Sequence, residues 1–171
     1  MKEGTTTALN WLGQRHIWLV LMLILTATWV KVWLWSAQSP QLLPFASHDD
    51  FLFVRLAASI SQGQWLGPVD QLTLAKGPGY PIFISLTAQL GLELIWTQRF
   101  WYWIGCLAAA GVAAAFTTPR RRGLIFSLVF IFFLFHPITI DTNFTTRVNR
   151  TYLAFLTAFF CQIGVLAALY W

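Results

Sequence analysis

From Ile17 to Trp35 the chain runs for 19 residues with one charged side chain, Lys31. As a helix such a run covers about 30 Å at 1.5 Å per residue, the thickness of a bilayer's hydrocarbon core. Lipid offers the backbone no hydrogen-bond partners, so a segment placed there must satisfy its own N–H and C=O groups. Helix is therefore the expected form. Further apolar runs occupy 100–116, 124–140 and 152–171. The whole chain is 57% hydrophobic and 10% charged, whereas soluble domains carry roughly 25% charged residues. The predicted class is an all-α integral membrane protein. About four transmembrane helices are expected by the length criterion, plus one or two interfacial or re-entrant helices. A large soluble core is excluded. The net charge is +5, but the basic residues are dispersed rather than clustered with base-stacking aromatics, so nucleic acid is not an expected partner. Cys106 and Cys161 both fall in apolar runs without metal-ligand spacing and read as reduced, packed residues.

Taken in order, 1–16 is a polar tail with Lys2 and Arg15, and 17–35 is the first span. Its apolar part exceeds the 7–15 residues of a signal peptide and ends in Trp29, Trp33 and Trp35, so an uncleaved anchor is predicted. Lys31 is expected to snorkel toward the interface. An outer loop over 36–99 carries surface helices at 50–62 and 80–96. In the first of these, Phe53, Leu56, Ala57 and Ile60 share one face and Arg55, Ser59 and Gln62 the other, and Gly63 stops it. The span 100–116 carries Gly105, Ala109, Gly111 and Ala115, whose small side chains permit close helix contact. It leads through the turn 117–123, with Arg120, Arg121 and Arg122, to the span 124–140. A second outer loop, 141–151, precedes the last span, 152–171. If 80–96 does not cross, Lys2, Arg15 and the triple arginine share one side, as the positive-inside rule prefers. Both termini are then cytoplasmic and the acidic loop is extracytoplasmic.

The stretch from Ser47 to Pro81 is the one long segment that is not simply apolar. It opens with Asp49 and Asp50 and closes on Lys76-Gly77-Pro78-Gly79. The outer face would collect Asp49, Asp50, Asp70, Glu93 and Asp141 together with Arg55, Lys76, Arg99, Arg147 and Arg150. Positive residues on the translocated side run against the usual bias. They either hold an anion such as a phosphate or pair with the nearby acids. At Lys76 the flanking glycines let backbone N–H groups approach an anion beside the ammonium. For Asp49 and Asp50 three readings stand side by side. One carboxylate is a general base for an acceptor hydroxyl. Alternatively the pair, with His48 and Asp141, holds a divalent cation. The third reading is acids favoured by a helix dipole. His136, before Pro137, reads as structural. Asn143-Phe144-Thr145 and Asn149-Arg150-Thr151 fit the glycosylation sequon.

Four residues separate the acidic pair from Arg55-Leu56-Ala57, followed by Gly63-Gln64-Trp65-Leu66-Gly67-Pro68 and then Leu74-Ala75-Lys76-Gly77-Pro78-Gly79-Tyr80-Pro81. This pattern resembles the first outer loop of the GT-C membrane glycosyltransferases. More narrowly it resembles bacterial glycosyltransferase family 39 proteins, relatives of protein O-mannosyltransferases and of the lipid A aminoarabinose transferase. The resemblance runs over most of the chain. It implies a polyprenyl-phosphate-linked sugar donor and an acceptor at the extracytoplasmic face of a bacterial inner or other energy-transducing membrane. On that resemblance Asp49 or Asp50 matches the first-loop catalytic acid, and Lys76 matches a lysine on the donor phosphate. Arg55, Arg147 and Arg150 are candidate phosphate ligands, and Asp141 stands near the second-loop acid. Some relatives continue the Arg-Val-x-Arg pattern with glutamate; here Thr151 stands instead.

Family members continue through further spans that close the donor groove, so a portion or split subunit working with a partner chain is expected. A second reading, from a different class, is a non-catalytic relative serving as an accessory subunit of a larger membrane complex. Its 10 tryptophans and 15 phenylalanines would pack against other helices, lipids or pigments. A third is a small lipid-binding or transport subunit. Membrane lipids and other membrane subunits are expected partners in all three.

Overall fold

The computed structural model describes residues 3–38, 50–65, 67–68 and 77–140. Every regular element among them is helical: α1 (Glu3–Ser36), α2 (Asp50–Ser61), α3 (Gly79–Gln89), α4 (Leu94–Ala115), α5 (Arg122–Leu134) and a 3-10 turn at Pro137–Thr139. The chain divides into two units, Met1–Gln38 with Cys106–Pro137, and Ser39–Gly105 with Ile138–Trp171.

In the first unit α1 is one uninterrupted helix of 34 residues. The residues expected as a polar tail are helical from Glu3 onward. No glycine or proline falls between Gly13 and Pro40 to break the backbone ladder. Ile17–Ser36 is the one helical stretch among the described residues that is long and apolar enough to cross a membrane. The expected 124–140 span differs: α5 ends at Leu134 after 13 residues. Pro137 cannot continue the ladder, and the chain turns into the 3-10 segment. α4 has the length of a span, 22 residues, but Gln98, Arg99 and a run of Trp and Tyr dilute its first turns. Four spans are therefore an expectation that the helices meet in part.

α1 and α5 pack side by side. A Cβ on Gly123 would lie 3.2 Å from Val20 Cγ2, so the start of α5 presses on α1 at Val20. At the other end the Lys31 ammonium lies 5.5 Å from the Phe135 ring. Numbering rises in the same direction along both helices, so the pair is parallel. Lys31 does not snorkel outward: it is 1% exposed, and the Trp35 ring is 5.4 Å from its ammonium. Ring faces meet its charged head.

The second unit is built on α2 and α3, its most extensive pairing. α2 buries Leu52, Phe53, Leu56 and Ala57 and exposes Phe51, Val54 and Arg55. The outward face therefore includes apolar side chains that a strictly two-sided helix would not show there. Both helices end in the same device. Gly63 and Gly91 have φ of 76° and 67°. Around them the Gly63 N–H donates to Ile60 O and Gln64 N–H to Ser59 O, while Gly91 N–H donates to Ala88 O and Leu92 N–H to Thr87 O. These are paired Schellman bonds, and glycine adopts the left-handed conformation they need at no steric cost. The second of these stops divides the expected 80–96 helix. α3 ends at Gln89 and α4 begins at Leu94.

Candidate functional site

The core of the second unit is Phe53, Ala57, Tyr80 and Ile84, with Phe83 and Leu94 packed against it. Phe53 lies one turn into α2, and Tyr80 is the second residue of α3. Their rings meet edge to face at 4.9 Å, a favoured aromatic geometry. At the far end Ser61, which closes α2, shares a 2.8 Å hydrogen bond with Ser85 in α3. Gln89 Nε2 donates to the same Ser85 Oγ at 3.3 Å. The contacts follow the same order along both helices, Phe53 then Ser61 in α2 and Tyr80 then Ser85 in α3, so α2 and α3 also run in the same direction. Gly67 lies against the last turns of α2: a Cβ there would stand 2.5 Å from Ser59 Oγ, and its φ is +66°.

Parallel pairing brings the two helix N-termini to one end of the unit. Each N-terminus carries backbone N–H groups without intrahelical acceptors and about half a positive charge. Together they make that end a place suited to anions. Asp50 is the first residue of α2, and Gly77-Pro78 lead directly into α3. Pro78 sits at the N-cap of α3 with no side-chain cap. Among the described residues nothing lies within 4 Å of where a Cβ on Gly77 or Gly79 would be, and neither glycine has a left-handed backbone.

Tyr80 also ties this end to α4. Gln98 Nε2 donates to Tyr80 Oη, and Gln98 and Arg99 are both 2% exposed. The Arg99 guanidinium carbon lies 5.0 Å from the Trp96 ring centroid, a stacking arrangement suited to a planar cation. Arg99, one of the cations expected on the outer face, is a buried residue. Gln98 carried no expected role at all. A polar Gln-Arg pair set between Trp96 and the aromatic run Phe100–Trp103 was the available signal.

Of the candidate site residues, Arg55 is described in full. It is exposed, on the side of α2 away from the Phe53–Ala57 seam. Asp50 is placed by its backbone at the start of α2. His48, Asp49, Lys76, Asp141, Arg147 and Arg150 lie outside the described residues, as do Cys161 and the segments 141–151 and 152–171. Among the described residues no three His, Cys, Asp or Glu side chains gather as a metal site; three of the four candidate cation ligands, and the side chain of the fourth, fall outside that set. Cys106 is buried and forms no disulfide among the described residues. In α4, Gly105 and Ala109 are buried while Gly111 and Ala115 are exposed. Compared with family models, with curated proteins and with solved structures, the chain matches none of them.

Proposed function

We propose that this chain is the front portion, or a split subunit, of a GT-C-like membrane glycosyltransferase. It acts on a polyprenyl-phosphate sugar donor at the extracytoplasmic face. One observation supports this reading above the others: the parallel α2–α3 pair, whose two N-terminal ends share one end of the unit. The acidic pair leads into one of those helices and the Lys-Gly-Pro turn into the other. An anionic donor phosphate is stabilised by helix N-termini, by backbone N–H groups that glycine leaves accessible, and by Lys76. A carboxylate of Asp49 or Asp50 then accepts the proton of the attacking hydroxyl. Arg147 and Arg150 serve as further phosphate ligands in this reading. Arg55, on the outward face, is a less direct one. The topology that goes with it has both termini cytoplasmic. The parallel α1–α5 pair supports that topology, because it brings the triple arginine to the Arg15 end of α1.

The test is sugar transfer in membranes supplied with labelled polyprenyl-phosphate sugar. Asp49→Asn, Asp50→Asn and Lys76→Gln are each expected to lower transfer by about a hundredfold or more, with the protein still in the carbonate-washed membrane. Transfer at the native rate in all three variants overturns the proposal.

A second reading has its own observation. Of the apolar stretch of α1, 6% is buried within the chain, and Trp18, Trp29 and Trp33 are exposed. That surface suits a lateral subunit of a larger membrane complex, covered by lipid or neighbouring helices. Co-purification at fixed stoichiometry, unaffected by Asp49→Asn, would favour it over catalysis.

A further inference from the structure

We infer that the turn Arg120–Arg122 is a binding site for the phosphate headgroup of an anionic phospholipid, at the mouth of the α1 span. The inference rests on α1 lying in a membrane and is independent of sugar transfer. It begins from level. Gly123 abuts Val20, and the apolar stretch of α1 begins at Ile17. The arginines just before Gly123 therefore stand at the height where α1 passes from lipid to water. Headgroup phosphates occupy that height. By backbone position Arg15 and His16 are at the same end of α1.

The turn is built to hold its charges out. Arg121 N–H donates to Thr118 O at 2.8 Å and Thr117 N–H to Ala114 O at 3.1 Å. Thr117 Oγ1 donates to Ala113 O at 2.9 Å, and Arg122 Nε donates to Thr117 O at 3.3 Å. The backbone is closed on itself, and all three arginines are exposed. No aspartate or glutamate occurs in the sequence from Leu94 to Ile140, and Glu3 is the one acid in residues 1–38. The first unit thus presents three guanidinium groups with almost no carboxylate of its own to balance them. Each guanidinium is a planar donor matched to two phosphate oxygens.

Apolar side chains flank the charges. Phe116 before the turn, and Leu124 and Leu128 after it, are exposed. A soluble anion has no use for them, whereas a phospholipid meets the arginines with its phosphate and these side chains with its acyl chains. A juxtamembrane basic cluster attracts anionic lipid in proportion to its charges.

The full chain, reconstituted in phosphatidylcholine vesicles, tests this by energy transfer from tryptophan to a minor fraction of dansyl-labelled lipid. Dansyl-phosphatidylglycerol is expected to be enriched around the protein on the order of tenfold over dansyl-phosphatidylcholine, less at high salt. R120Q/R121Q/R122Q should bring that ratio to near one. Because loss of these charges can disturb insertion, R120K/R121K/R122K is measured beside it. That variant keeps the charge and orientation and should lose several-fold of the enrichment, since ammonium groups are point donors. Carbonate extraction of each sample reports insertion separately. Excess inorganic phosphate should not displace the lipid. No preference for phosphatidylglycerol in the native chain, full preference in the inserted glutamine variant, or displacement by inorganic phosphate would each overturn the assignment.

Discussion

Both units bury a cation, but each surrounds it with different chemistry. In the first, Lys31 sits among ring faces, Trp35 on its own helix and Phe135 beyond the end of α5. In the second, Arg99 lies over Trp96 beside Gln98, whose amide is bonded to Tyr80. An ammonium on a flexible stem is accommodated by burying the stem and offering aromatic faces to the head. A guanidinium is a fork of donors and belongs where polar side chains are already fixed. In the first unit α1 and α5 form a parallel helix pair. In the second the Tyr80–Gln98 hydrogen bond joins α3 to α4, and α2 meets Tyr80 through the Phe53 ring.

If rings secure the first unit, removing one should have the largest effect. Trp35→Ala is expected to lower stability by about 3–5 kcal/mol, the usual cost of deleting a buried tryptophan. Trp35→Phe should recover most of it by keeping a ring face near Lys31. Denaturant unfolding in detergent micelles measures both. A native-like Trp35→Ala variant would show that the ring does not hold the end of the α1–α5 pair.

The second unit should instead be most sensitive where Gly67 approaches α2. At Gly67 a methyl group meets Ser59 Oγ and the backbone is left-handed. Gly67→Ala is expected to cost about 2–3 kcal/mol, combining left-handed strain of roughly 1–2 kcal/mol with displacement of Ser59. Gly63 shares the positive φ but has open space around it, so Gly63→Ala should cost about 1 kcal/mol. Equal losses at the two positions would remove the close approach as the reason for Gly67.

The Tyr80–Gln98 hydrogen bond itself is worth less. Tyr80→Phe and Gln98→Leu should each cost about 1–2 kcal/mol, with a double variant well short of the sum, since both remove one hydrogen bond. Additive losses would mean that the Tyr80–Gln98 bond is not the shared term.

Much of the helical architecture was legible in the sequence. The apolar length of α1, the buried face of α2 and the stop at Gly63 follow from periodicity and from glycine's conformational range. Gly91 offered the same signal as Gly63, but the apolar run around it invited reading 80–96 as one helix. α5 stopped short because Pro137 outweighs hydrophobicity. Lys31 and Arg99 could not be assigned an environment from sequence. Their burial depends on which helix lies alongside, and a lone cation in an apolar run fits snorkelling and aromatic burial equally well. The parallel pairing of α2 with α3 was likewise out of reach, because it is a property of packing rather than of either helix. Yet that pairing is what brings the start of α2 at Asp50 and the Gly77-Pro78 lead into α3 toward one end of the unit.

Gly77 gives the smallest expected change in stability and the sharpest separation of fold from function. A Cβ there meets nothing within 4 Å, and no left-handed backbone demands glycine. Gly77→Ala should therefore shift stability by less than about 0.5 kcal/mol, as for an ordinary surface position. If an anion is held against the backbone at the start of α3, however, the methyl group stands in its path. Donor KM should then rise several-fold with kcat little changed, the pattern of lost binding common to ground and transition states. The same substitution at Gly63, at the opposite end of α2, should cost stability and leave donor KM alone. Unchanged donor KM in Gly77→Ala, beside the expected stability, would mean that no anion approaches this backbone and that the parallel helix starts serve packing alone.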